Sequence, residues 1–560
     1  IQTSLIRITH ISEVIAIKLV QSLELLGFPT TSCDRYGSDM NPLPQSSTRG
    51  TRHLVAAADQ LAARAGDAIF AAGGNAVDAA IATNAAIAVT GPHLCGLGGD
   101  LFALIHDGSK VHALNSSGRA GSGANADQLR AEGLTEMPFR HDIRVVTVPG
   151  CVDGWIALSE RFGSLPLSVI LQPAIDLAEQ GFPASPLLVG AVRQLDAKGA
   201  ETLHELSSQA THVGAVVRRP GVARALRAIA SSGRDGFYLG EFGQGLLQLG
   251  NGLFLERDLE RSSAEWVTPL SSSAFGVELH TIPPNSQGYL TLGAASLLDG
   301  LDLGDSDDDR WAHLTIEAAK VAGFDRPKVL SDRADGTALL EAITARRGLL
   351  NTNTASKIGV RSTDGDTTYL CTAETDGLAV SLIQSNASGF GCWLAEPNTQ
   401  INLHNRGLGF SLEPGHPAVF GPGRRPPHTL SPALATQDGN LVSVFGTMGG
   451  DAQPQILLQI AARLFLHKQS PAEAIHAARW ALAGEKSGFD SWDDMSRQQV
   501  LLEGHAPSHW RERLTARGHR TRQRPEWDSV FGHAHAIVRD EDGLSGAADP
   551  RARVSACIGR

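Results

Sequence analysis

At 560 residues, with 42% hydrophobic and 19% charged side chains, the chain has ordinary globular composition and enough apolar material for a sizeable core. A formal net charge of -11 argues against a nucleic-acid or anionic-membrane partner, and no apolar run reaches the length of a membrane span. Six scattered cysteines, with no CxxC pair, give neither a zinc site nor a disulfide framework and read as buried small hydrophobes.

Residues 1–49 carry an apolar patch broken by Glu13, Lys18 and Glu24, without a basic lead or a cleavage signal. They read as an atypical, poorly ordered extension rather than a signal peptide, and a cytoplasmic location is expected. Ordered structure is expected from near Leu54, where LVAAADQLAARAGDAIFAAGG reads as an Ala-rich helix stopped by Gly73 and Gly74. NAVDAAIATNAAIAV follows as a helix capped by Asn75 and runs into the glycine-dense GPHLCGLGGD. LFALIHDGSKVHALNSS reads as two strands around Asp107-Gly108. A helical middle spans WIALSERFG, SVILQPAIDLAEQG, VARALRAIASSG and the stretch after Asp308, punctuated by turns such as TIPPNSQG. Strands return after Thr367, and helices are expected near Ile456 to His467 and Pro471 to Leu482, before a strand-rich end. With no repeat and no clear linker, one interleaved domain of helices layered over packed sheets is expected.

The most informative stretch is GDTTYLCTAETDGLAVSLIQSNASGFG, Gly365 to Gly391. Asp376-Gly377 signals a two-residue hairpin with positive φ at both central positions. Counting outward, Thr368 faces Ser385 and Thr367 faces Asn386, to within a residue. Such a threonine, released as a new N-terminus, could act as a nucleophile with its own α-amine as base and Ser385 holding its hydroxyl. By itself the hairpin reads more readily as an ordinary Thr-rich strand pair. FGTMGGDAQPQILLQIAARLF supplies Gly449 and Gly450 before an apolar helix, where backbone N–H groups suit an oxyanion, with Asp451 as a helix cap. In the loop LHNRGLGFSLEPGHPAVFGPGRRPPHTLSP, Arg406 is a candidate partner for a substrate carboxylate. His428 and Thr429 either donate to a ligand or stabilise a turn, and Arg424 and Arg425 read as surface charges.

Taken with GGNAVDAAIATNAAIAVTGPHLCGLGGDLFAL, VTVPGCVDGW, ERFGSLPL, NRGLGFSLEPGHP and a late DPR, these residues resemble the γ-glutamyltransferase (γ-glutamyltranspeptidase) family of N-terminal-nucleophile hydrolases, from about Leu54 onward. The resemblance implies an α+β fold, a four-layer αββα sandwich. It also implies autocleavage between Asp366 and Thr367 into a large portion (50–366) and a small portion (367–560), with no cofactor. It places the nucleophile on Thr367, its hydroxyl partner on Ser385 and the oxyanion glycines on Gly449 and Gly450. The substrate would be a γ-glutamyl amide, glutathione first, with water, an amino acid or a peptide as acceptor. Candidate substrate-binding residues are Arg119, Asn386, Arg406, His428 and Thr429.

The pocket departs from the family pattern. Ser117 stands where an arginine for the α-carboxylate is usual, with Arg119 the nearest substitute. Gly409 stands where an acid holds the α-amino group, Arg406 replaces a Gln, and His428-Thr429 replaces a Ser-Ser pair. The loop from Phe410 to Pro426 is short for a cover, so an open site admitting bulkier leaving groups is expected. An acylase for glutaryl amides with the same mechanism is therefore the alternative, and a non-maturing binding scaffold is the remaining one. His533 and His535, spaced like a metal pair, lack a third ligand nearby and read as structural, and Cys392 reads as a buried thiol. No GxSxG or GxxxxGK motif occurs.

Overall fold

Two antiparallel seven-stranded sheets make the centre of the protein, in a computed structural model that describes residues 46–358, 367–483 and 498–560. The first sheet runs in the order Ala556–Gly559, His53–Ala57, Thr368–Glu374, Leu378–Ser385, Asp100–Asp107, Val111–Ser116 and Glu265–Val267. The second runs Thr48–Gly50, Gly543–Ala548, Ala534–Asp540, Asn440–Thr447, Ala433–Gln437, Val277–Thr281 and Leu270–Ala274. Both draw strands from before and after Thr367. Asp366 and residues 1–45 lie outside the described residues.

The strand period of two sorts side chains between cores. From Asp100–Asp107, Phe102 and Leu104 enter an apolar layer shared with Leu434, Val444, Ile537 and Leu544 of the other sheet. Their neighbours Leu101, Ala103 and Ile105 point the other way, into a core made with the helices covering the first sheet. A third core joins the outer face of the second sheet to helices Tyr289–Leu298, Asp309–Gly323 and Gln453–Ala461. Each fully buried Leu or Phe in these layers contributes about 1.5–3 kcal/mol relative to exposure. The helix Ala76–Thr90 is buried at every position, which explains its small, apolar, one-sidedness-free composition. Its capping box joins Asn75 and Asp78.

Several expectations need correction. LVAAA is not helical: His53–Ala57 is a strand, and the helix begins only at Gln60. Pairing with Thr368–Glu374 on one side and Ala556–Gly559 on the other overrides alanine's helix propensity. The extension does not reach residue 49, because Thr48–Gly50 pairs with Gly543–Ala548. The helix from Pro471 stops at His476, and Trp480–Ala483 is a strand. The Asp-Gly hairpin turns differently: Gly377 N–H donates to Glu374 O at 3.1 Å, and of the two only Gly377 has positive φ, 105°. That longer loop moves the register by one, so Thr368 pairs with Gln384 and the next step sets Ser385, not Asn386, against Thr367.

Candidate active site

The open end of the hairpin Thr368–Ser385 builds the candidate corner. Thr367 Oγ1 donates to Ser385 Oγ at 3.1 Å, and both residues are buried. Ser385 Oγ is fixed by two further donors, the Ala387 N–H at 2.8 Å and Arg406 Nη2 at 3.2 Å. Arg406 opens a short 3-10 turn, Arg406–Gly409. The preceding Asn405 locks that turn to the strand end, its N–H donating to Asn386 O at 3.1 Å. Arg406 Nη1 donates to Thr429 Oγ1 at 3.0 Å, which completes a chain of contacts from the nucleophile to Thr429. Burial lowers the Arg406 guanidinium to about 10, offset in part by Asp100 and Asp451, so it stays charged at neutral pH.

Gly449 (φ 135°) and Gly450 (φ 55°) sit at the end of strand Asn440–Thr447, just ahead of helix Gln453–Ala461, in backbone that a side chain would strain. Among the described residues their N–H groups have no protein acceptor. Gln287 Nε2 holds this turn to the Arg406 side of the site, donating to Thr429 O at 2.9 Å and Gly450 O at 3.0 Å.

A cavity of about 690 Å³ opens beside this corner, with Arg406, Thr429, Asp451 and Arg326 at its buried end. Glu136 and Glu413 also line it, at exposed positions. Phe410, Ser411, Leu412 and Pro414 wall one side, so the short loop lines the cavity instead of leaving it bare. His416 Nε2 ties that loop to Pro327 O at 3.1 Å. At Gly409 a Cβ would stand 2.4 Å from Pro427 O, so the backbone leaves no room for an acid there.

Other sequence candidates lie elsewhere. Arg119 pairs with Glu265 at 3.1 Å and donates to Gly423 O, outside the cavity. Its neighbour Arg425, expected at the surface, is buried, with Nη1 2.6 Å from the same Glu265 and Nε on Ser117 O. Arg424 pairs with Asp332 at 2.5 Å. Asn386 is buried and donates to Pro92 O at 3.1 Å, holding the glycine-dense turn against the strand end. His428 does not face the cavity either: it is buried edge-on to Phe102, with Nε2 3.1 Å from Asp100 Oδ2. Burial, then Arg406, pushes its pKa down to about 3, so it is neutral and donates Nε2–H to the carboxylate.

Sequence reasoning passed over Asp100, Gln287, Arg326 and the pairing of Asp451. Asp100 closes the glycine-dense turn and takes the Gly118 N–H at 2.8 Å. Burial alone would raise its pKa, but the imidazole of His404, the hydrogen bond and charge of His428 and the charge of Arg406 hold it at about 2. An acid at the end of GLGGD was the available signal. Arg326 Nη2 lies 3.0 Å from Asp451 Oδ1, and nothing local in the sequence announces that pair.

Among the described residues, His313, Glu317 and His519 form a buried trio of metal-ligand types within 4.8 Å of one another. The imidazoles meet at 2.8 Å and Lys320 Nζ donates to Glu317 at 2.9 Å, while His519 Nδ1 has no hydrogen-bond partner among the described residues. His533 and His535 are separately engaged, by Ser529 Oγ and the Asp549 N–H.

The arrangement, a threonine alcohol held by a serine that is tied to a buried cation, with a glycine turn linked to the same cation through Thr429 and Gln287, can support acyl transfer. The family model for Gamma-glutamyltranspeptidase matches residues 62–558. The chain is 33% identical over 533 residues to the glutathione hydrolase-like YwrD proenzyme of Bacillus subtilis, covering 90% of this chain and 98% of that one. It is 34% identical over 539 residues to the oxamate amidohydrolase proenzyme of Klebsiella pneumoniae, covering 91% and 99%. A solved cephalosporin acylase from Bacillus halodurans superimposes with a TM-score of 0.82 at 33% identity, covering 94% of this chain and 99% of that one. The chain thus belongs to the Gamma-glutamyltranspeptidase family, a group of proenzyme amidohydrolases.

Proposed function

We propose that this protein severs its own chain between Asp366 and Thr367 and then hydrolyses amides whose acyl part carries a second carboxylate. The observation that carries the reading is Arg406, a buried cation joined to the nucleophile through the single hydroxyl of Ser385. Helices stacked outside two face-to-face sheets fit the four-layer αββα sandwich that the resemblance implies.

In maturation the Thr367 hydroxyl attacks the Asp366 carbonyl carbon, the C–N bond breaks as the acyl group moves to Oγ1 and frees the α-amine, and water then cleaves the ester to release the Asp366 carboxylate and restore the hydroxyl. In turnover that amine takes the hydroxyl proton as Oγ1 attacks the substrate amide. The N–H groups of Gly449 and Gly450 hold the oxyanion. The tetrahedral intermediate collapses, the amine leaves with the proton, and water releases the acid by the reverse sequence. An amine in place of water would give transfer.

Of the two acyl classes, the geometry favours glutaryl-type amides, because Gly409 leaves no place for an acid facing an α-ammonium. Glutathione hydrolysis is the second reading, supported by the name of the YwrD relative and by Asp451, an acid at the buried end of the cavity. The purified protein is expected to give two bands on a denaturing gel, with Thr367 at the start of the smaller one. Thr367→Ala is expected to stay whole and inactive. Glutaryl p-nitroanilide is expected to outpace the γ-glutamyl compound in kcat/KM. An unbroken yet active chain would overturn the mechanism, and a γ-glutamyl preference would restore the glutathione reading.

A further inference from the structure

Arg326 reaches the site from a short helix, Arg326–Val329, far in sequence from the hairpin, the glycine pair and the Arg406 turn. It is buried, it lines the same end of the cavity as Arg406 and Thr429, and among the described residues its charge is paired at close range with Asp451 alone, at 3.0 Å. The contact is an ion pair without hydrogen-bond geometry. Arg326 Nε, Arg406 Nε and Asp451 Oδ1 are all buried atoms with no hydrogen-bond partner among the described residues. Three such atoms around one cavity are a costly arrangement in an empty site and a useful one around a ligand that supplies the missing bonds. Two guanidiniums and one carboxylate line this end, while Asp100, the further counter-charge of Arg406, lies behind it and outside the lining, so the groups that face the cavity suit a single carboxylate rather than a zwitterion. The two exposed acids of the cavity, Glu136 and Glu413, are not part of this end.

We propose that Arg326, held by Asp451 beside the oxyanion glycines, forms with Arg406 a receptor for the free carboxylate of the acyl group, so that the preferred substrate is the monoamide of a dicarboxylic acid with no amino group beside that carboxylate. This rests on the amidohydrolase reading above. Asp451 aims the Arg326 fork, and an ammonium placed there would meet Arg326 as well as the acid. A bidentate guanidinium matches a carboxylate in a way that Lys reproduces only as a point charge.

The test uses mature wild type, Arg326→Gln, Arg326→Lys and Asp451→Asn with glutaryl, γ-glutamyl and butyryl p-nitroanilides. For Arg326→Gln the ratio of kcat/KM for glutaryl over butyryl is expected to fall at least tenfold, mostly through KM, and Arg326→Lys is expected to recover part of it. Asp451→Asn is expected to leave γ-glutamyl no worse relative to glutaryl. An unchanged ratio in Arg326→Gln would overturn the proposal, as would a selective loss of γ-glutamyl turnover in Asp451→Asn, which would make Asp451 an ammonium receptor. Calorimetry with glutarate and butyrate gives a readout that needs no turnover. Glutarate bound over butyrate, with the preference lost in Arg326→Gln or weakened in Arg326→Lys, supports the receptor even if no anilide is cleaved, in which case the amidohydrolase reading alone fails. Equal affinity for the two acids overturns the receptor even if the anilides are hydrolysed.

Discussion

Ser385 shows how one side chain can set the direction of another. Its oxygen takes the Ala387 N–H and Arg406 from fixed positions, and the Thr367 hydroxyl donates to the same oxygen. Ser385→Ala removes an acceptor shared by the nucleophile and a charged donor. Hydrogen bonds to charged groups are worth about 1.5–3 kcal/mol, so kcat of the cleaved protein is expected to fall about ten- to a hundredfold. Steady-state kinetics on gel-verified mature protein measures it, and an unchanged kcat would assign Ser385 to structure alone. At the same scale, the structure divides residues that a sequence treats alike. Arg406 and Arg119 are both arginines in loops, yet only Arg406 has its charge in the cavity, because Glu265 claims the other.

Among elements, one tight junction is where the glycine-dense turn before Asp100–Asp107 crosses the end of Leu378–Ser385. A Cβ on Gly99 would lie 2.4 Å from Ser385 O and 2.9 Å from Asn386 Oδ1, and the nearer obstacle is backbone, which yields poorly. Gly99→Ala is therefore expected to cost about 1–3 kcal/mol through overpacking and, by shifting Ser385, to slow self-cleavage. Gly348→Ala, with nothing within 4 Å of its new Cβ, is the control expected to change neither. Thermal melts and a time course of band appearance read both effects. A Gly99 variant indistinguishable from the control would show that the junction gives way freely. The hairpin itself teaches a related point. The Asp376-Gly377 signal was right about the turn and wrong by one residue about the register, because only Gly377 takes the left-handed conformation. The shift puts Ser385 beside the nucleophile and turns Asn386 toward Pro92.

Across the whole molecule, the late DPR motif closes a buried charge network on the far side of the second sheet. Arg551 reaches Glu503 at 2.5 Å and Asp549 at 3.1 Å, while Arg479 reaches Asp549 at 2.8 Å. Arg551 also donates to Ile475 O and Ala477 O, pinning the end of helix Pro471–His476 to the sheet. Removing one partner strands buried charge, so Arg551→Met is expected to cost about 3–5 kcal/mol in urea denaturation at neutral pH. Burial would raise the Asp549 pKa, but Arg479 and Arg551 outweigh it and hold the carboxyl well below the usual carboxylate range. A depressed folded-state pKa gives stability that is present above the unfolded value, about 3.9, and lost as pH falls below it. Wild-type stability is thus expected to drop between about pH 5 and pH 3, with a shallower drop in Arg551→Met. Parallel slopes in the two proteins would exclude this network as the source.

The sequence by itself determined the parts whose chemistry is local. A threonine pair before a strand, a glycine pair before an apolar helix, a capped alanine-rich helix and an arginine after an asparagine turn each need only a few neighbours to be read, and the family resemblance rests on the same stretches. Tertiary structure decided what depends on which distant group arrives. It turned LVAAA into a central strand through partners more than 300 residues away. It gave Arg119 to Glu265, made His428 a neutral buttress of Asp100, and set Arg326 against Asp451 at the buried end of the cavity. Backbone propensity and turn chemistry act over a few residues, whereas burial and charge pairing act through space, and the second kind of force settled where the site's cations lie.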